Sequence, residues 1–140
     1  MVKTDKKKAE KSDLRLRLEK SSEGMFYLSE TDAEIAPFFG GPAEVVTLEA
    51  LLKEQRIKNT GQVEERSFDE FFSRLTKISD WFGATEKANA NRFGELKRLL
   101  QKNLKDLKVF RIGKIRIDIY VVGIDKDGNL AGIKTMAVET

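Results

Sequence analysis

Cysteine and histidine are both missing from this 140-residue sequence, and proline occurs only twice. Without Cys there is no disulfide framework, no thiolate nucleophile and no thiolate metal site. Without His there is no Ser-His or Cys-His dyad, and zinc loses its commonest remaining ligand. An enzyme built from these residues would have to work with carboxylates, Lys, Tyr, Ser or a hard metal held by oxygens. The Walker phosphate loop, GxGxxG and the GxSxG nucleophile elbow are absent as well. Residue chemistry alone therefore disfavours catalysis, and no cofactor of its own is expected. No apolar run approaches the roughly 18 residues of a membrane helix. The basic opening MVKTDKKKAEK leads into no apolar signal-peptide core. The expectation is a cytoplasmic protein without membrane contact.

What is present describes a globular chain. Hydrophobic residues make up 40% and charged residues 35%. That composition suits one domain, which at this length buries about two-thirds of its unfolded surface. The net charge of +3 hides a strong segregation. Residues 1–20 carry 8 Lys/Arg against 4 Asp/Glu, residues 21–86 carry 6 against 13, and residues 87–140 carry 12 against 6. Basic ends enclose an acidic middle, so phosphates would be drawn to the former and cationic partners to the latter.

Residues 1–12 read as a basic, frayed lead, followed by one domain over 13–140. Ser12 and Asp13 offer an N-cap for a helix to about Ser22, with Leu14 and Leu18 on one face. Leu16 breaks that face, and LRLRL also alternates like a strand. Met25–Glu30 is apolar and then abruptly acidic, and Thr31–Pro42 reads as a loop broken by Gly40-Gly41-Pro42. Thr47 caps a helix to about Gln55 with Leu48, Leu51 and Leu52 inward. Asn59–Gly61 is a turn and Val63–Arg66 a short strand. Ser67 and Glu70 form a capping box before a helix carrying Phe68, Phe71, Phe72 and Leu75. A long helix spans about Thr85–Leu104, with Ala88, Phe93, Leu96, Leu99, Leu100 and Leu104 on its apolar face. The period then falls from 3.6 to 2. Val109–Ile112, the alternating Ile115, Ile117, Ile119 and Val121, and Leu130–Glu139 form an antiparallel meander with tight turns. Helices must cover that sheet, which predicts an α+β fold.

Several positions invite a chemical reading. DKDGN at Asp125–Asn129 resembles the start of a calcium loop. Its sixth and twelfth positions are Leu130 and Met136 rather than Gly and Glu, so a hairpin turn fits better. Asp118 alternates with isoleucines and is expected to pair with Arg116, Arg111 or Lys134. Lys97, Arg98, Lys102, Lys105 and Lys108 crowd one helix end and would suit phosphate. The nearby Phe93 and Phe110 sit at apolar-face positions rather than as stacking platforms. Trp81, the sole tryptophan, lies between two helices, either buried or displayed as an interface anchor. Glu30 closes an apolar run at the head of the acidic segment. The closing GNLAGIKTMAVET passes from a turn into a strand and ends on Thr140, where a hydroxyl and an α-carboxylate arrive together.

Five stretches together resemble one family, the nuclease A inhibitor (NuiA-like) family of proteins that inhibit sugar-non-specific endonucleases. They are EGMFYLSE (23–30), SFDEFFSR (67–74), the Asp80-Trp81 pair, LLQKNLKDLKVFRIGKIRIDIYVVG (99–123) and GNLAGIKTMAVET (128–140). The resemblance covers roughly residues 15–35 and 67–140. It implies an α-β-α sandwich around a small antiparallel sheet, and no enzymatic activity. The partner it implies is a magnesium-dependent endonuclease of DNA and RNA, bound one-to-one with its active site occupied. It puts Thr140 at the partner's catalytic metal, Glu30 against the enzyme's basic residues and Trp81 at the interface. Asp80 and Glu139 are expected as secondary contacts. The alternative is a non-inhibitory binding module that touches nucleic acid through its basic surface.

Overall fold

The computed structural model describes residues 13–55 and 62–140; the basic lead and the Asn59–Gly61 turn lie outside the described residues. Helix α1 (residues 13–22) opens the chain. Leu18 is fully buried and Leu14 partly, while Leu16 is exposed, so LRLRL is helical with a narrow apolar edge. Buried Ser22 donates its hydroxyl to the Leu18 carbonyl at 2.7 Å. Gly24, at φ 70°, ends the helix in the left-handed conformation that glycine adopts without steric cost.

A two-stranded antiparallel ribbon follows, β1 (Phe26–Leu28) and β2 (Asp32–Glu34). The next strand, β3 (Ala36–Pro42), leads to helix α2 (Leu48–Gln55), strand β4 (Val63–Arg66), and helices α3 (Phe68–Thr76) and α4 (Ala84–Asn103). The meander closes the chain as β5 (Lys105–Ile112), β6 (Arg116–Ile124) and β7 (Asn129–Val138). The main sheet has five antiparallel strands in the order β3-β7-β6-β5-β4, so the expected meander forms its centre. Residues 31–42, expected as a loop, instead supply β2 and β3. As an edge strand β3 needs fewer amide donors, so Pro37 and Pro42 are tolerated there. Gly40 and Gly41 fall in the register shift between Phe39 and Pro42.

The alternation along β6 sends side chains into two cores. Ile117, Ile119 and Val121 pack with Leu18, Phe72, Phe93 and Leu96 from α1, α3 and α4. Tyr120, Val122 and Ile124 pack with Val46 and with Leu51 of α2. A sheet covered on both faces gives the α-β-α layering of an α+β fold, and it explains why 119–122 reads as a continuous apolar run. Gly132 is required where β7 crosses β6, because a Cβ there would lie 1.9 Å from the Val121 carbonyl oxygen. Two face assignments change. Ala88 is exposed and Ala90 is buried in its place, about one turn before Phe93. Ile115, expected to alternate inward, precedes β6 in the turn and is 57% exposed.

The caps of α2 and α3 follow the sequence, α3 through the Ser67 arm of its expected capping box. Thr47 accepts the Ala50 N–H at 3.1 Å, and Ser67 accepts the Glu70 N–H at 3.4 Å. At α4 the reciprocal arm is supplied by Glu86, which accepts the Gly83 N–H at 3.1 Å.

Candidate functional site

The β1–β2 ribbon and the end of β7 meet at one edge of the molecule, and there the structure joins two of the singled-out residues. The Glu30 carboxylate accepts the Thr140 backbone N–H at 2.8 Å on one oxygen and the Thr140 hydroxyl at 2.6 Å on the other. These residues are 110 positions apart in sequence. Both are exposed, and they share a groove of ≈370 Å³ with Tyr27, Leu28 and Val138.

Each side of this contact is held by the fold. Arg92 of α4 donates to the Ser21 carbonyl at 3.1 Å and the Glu23 carbonyl at 2.6 Å, tying down the end of α1 just before β1. Tyr27 stacks on Phe71 of α3, with ring centroids 5.9 Å apart and planes within 5°. Ser29 is the hinge of the arrangement. Its hydroxyl donates to the Thr31 carbonyl at 2.9 Å and accepts the Val138 N–H at 3.1 Å. The Glu30 N–H reaches the Val138 carbonyl at 3.3 Å, and Thr135 donates to the Glu34 carbonyl at 3.0 Å. The ribbon is thus stitched to β7 by side chains as well as backbone. Sequence reasoning missed Ser29, and its only signal was its place beside Glu30.

On the opposite side, Glu139 pairs with Arg111 of β5, and its N–H donates to the Ile115 carbonyl at 2.9 Å. Arg111 was expected, with Arg116 and Lys134, as a candidate partner of Asp118; the structure gives it to Glu139 instead, because Arg111 is in register with Ile119 and so projects from the sheet face opposite Asp118. The Arg111 side chain is only 12% exposed, and its Nε is buried without a hydrogen-bond partner. Nearby, Arg66 donates to Glu64 at 2.6 Å. That hydrogen bond, reinforced by the Arg66, Arg111 and Arg74 charges, holds the Glu64 carboxyl below its ordinary range. The same bond raises the Arg66 guanidinium.

Trp81 is 76% exposed in the α3–α4 connection and meets Phe82 edge-on at 4.7 Å, so it is displayed on the surface rather than buried. Asp80 is exposed beside it. The structure brings neither into hydrogen-bonding contact with the Glu30–Thr140 pair. In the basic cluster, Lys97 lies 3.8 Å from Asp69, and Lys108 bonds the Val46 carbonyl at 2.8 Å. Phe93 and Phe110 are buried. Asp125 accepts the Asp127 and Asn129 N–H groups, as a turn residue does. Among the described residues, no three His, Cys, Asp or Glu side chains converge to hold a metal ion, and no helix is long and apolar enough to cross a membrane.

Chemically, the edge presents a hydroxyl whose proton is directed at a carboxylate. Its oxygen lone pairs are left for an electrophile, and negative charge stands beside it. Searched against curated proteins, the sequence gives no match. The family described as nuclease A inhibitor-like protein matches over residues 12–140, which takes in α1, both sheets and the Glu30–Thr140 edge. With that match over nearly the whole chain, the protein belongs to the nuclease A inhibitor-like family.

Proposed function

We propose that this protein inhibits a magnesium-dependent, sugar-non-specific DNA/RNA endonuclease in a one-to-one complex, with Thr140 seated at the enzyme's catalytic metal. The observation that carries this reading is the double hydrogen bond from Thr140 to Glu30. It fixes the terminal residue before any partner arrives, which lowers the ordering cost of binding. A magnesium ion in a nuclease takes oxygen ligands and keeps positions for water and phosphate. Thr140 brings a hydroxyl, which is no phosphodiester that the enzyme can cut. Glu30 keeps the hydroxyl proton on its own side and sets a negative charge against the basic residues of a phosphate-binding active site. Truncating one partner of such a buried interfacial charge pair costs about 2–5 kcal/mol. Trp81, already displayed, supplies a rigid apolar anchor away from the metal.

Plasmid nicking by such a nuclease tests the reading. Wild type, a version lacking Thr140 and Thr140→Val are titrated into the enzyme. Wild type should abolish nicking near equimolar ratio and the deletion should not. Thr140→Val keeps the shape of the side chain, so its residual potency isolates the hydroxyl. Undiminished inhibition by the deletion would refute the metal-seated mechanism. Failure of the wild type against several such nucleases would refute inhibition of this enzyme class.

A further inference from the structure

Resting on that reading, we infer that the inhibitory surface is wider than its polar centre: Leu28 and Ile115 flank Thr140 as two apolar jaws that close on the rim of the nuclease active site. Large exposed apolar side chains are few among the described residues, and these two are 63% and 57% exposed. Backbone bonds put them on opposite sides of the last residues. The Glu30 N–H bonds the Val138 carbonyl on one side, and the Glu139 N–H bonds the Ile115 carbonyl on the other. The row across this edge therefore reads Leu28–Glu30, then Val138–Thr140, then Ile115. Leu28 borders the same groove as Glu30 and Thr140.

Neither side chain has a local reason to be apolar. Ile115 sits in the turn before β6, where polar residues are usual, and Leu28 ends a strand only three residues long. Contact with a partner supplies the reason. Apolar groups ringing a charged contact exclude water from it, and Coulomb attraction strengthens as the local dielectric falls. The partner surface that fits is a mouth of apolar side chains, or the aliphatic stems of Arg and Lys, around an electropositive centre.

The test compares wild type, Leu28→Ser, Ile115→Ser and Val45→Ser against the magnesium-loaded nuclease, measuring dissociation rate and thermal midpoint. Val45 is 55% exposed but lies near the β6–β7 turn, where Ala43 bonds Gly128, at the far end of β7. Burying a side chain of this size contributes enough for about a tenfold change in Kd when most of its surface is covered. Leu28→Ser and Ile115→Ser should each accelerate dissociation about tenfold and leave the thermal midpoint near wild type. Val45→Ser should change neither. If wild type inhibits and both jaw variants match it, the jaws are refuted while the Thr140 mechanism stands. If the loss tracks a lowered thermal midpoint, or Val45→Ser weakens binding equally, the jaws are also refuted. If wild type does not inhibit, the parent reading falls and this surface falls with it.

Discussion

Removing either member of the Arg111–Glu139 pair should have unequal consequences, because the two ends of the pair are unequally wet. The Arg111 side chain is 12% exposed and that of Glu139 is 49% exposed. Glu139→Ala strands a guanidinium that is nearly buried and already lacks a partner at Nε. Stranding a fully buried charge costs about 3–5 kcal/mol, and breaking a surface pair about 0–1. Arg111 lies nearer the first limit, so Glu139→Ala should cost about 2–3 kcal/mol. Arg111→Met leaves a carboxylate with half its surface in water and fills the vacated volume with an apolar chain, so its cost should stay below about 1 kcal/mol. At this chain length each kcal/mol moves the thermal midpoint by about 4 °C. The expected drops are therefore about 8–12 °C for Glu139→Ala and under about 4 °C for Arg111→Met. Arg111→Met/Glu139→Ala should recover most of the larger loss, since no charge is then stranded. Calorimetry with urea titration at neutral pH decides it. If Arg111→Met proves as costly as Glu139→Ala, or the double variant is the worst of the three, the burial argument is wrong.

Two further outcomes follow from single side chains. Tyr120 is buried against Phe38, and burial first, then the Asp118 charge, raises its phenol above the ordinary value. A raised folded-state value leaves stability untouched below about pH 10 and removes it as pH climbs through the folded value, because the unfolded chain ionises first. Urea midpoints between pH 9 and 11.5 should fall more steeply for wild type than for Tyr120→Phe; equal slopes would rule out Tyr120 as the cause. Trp81→Ala should leave the thermal midpoint within about 2 °C, since exposed substitutions seldom exceed about 0.5 kcal/mol. The same variant should weaken nuclease inhibition about tenfold or more if Trp81 is an anchor. A large thermal loss with intact inhibition would make it structural instead.

Much of the architecture is legible in local pattern. The shift from a period of 3.6 to a period of 2 marks where helices give way to the meander, and Thr47 and Ser67 announce their helices through caps that the structure shows. The missing Cys and His narrow the chemistry before any contact is known. Residues 31–42 were illegible because Pro and Gly are breakers only where a strand needs donors on both sides. As an edge, β3 does not, and no local rule tells an edge from a loop. Ile115 reads as inward by alternation, yet β6 begins one residue later than the pattern suggests and leaves Ile115 in the turn.

The sequence alone determined the helices and the central meander and excluded cysteine- and histidine-based chemistry, because those properties belong to near neighbours and to side-chain chemistry. Tertiary structure alone decided that Glu30 grips Thr140 across 110 residues, that Arg111 serves Glu139 rather than Asp118, and that Leu28 and Ile115 stand on either side of the tip. Those meetings depend on strand order and register, which are set by burying both faces of the sheet at once rather than by any stretch read singly.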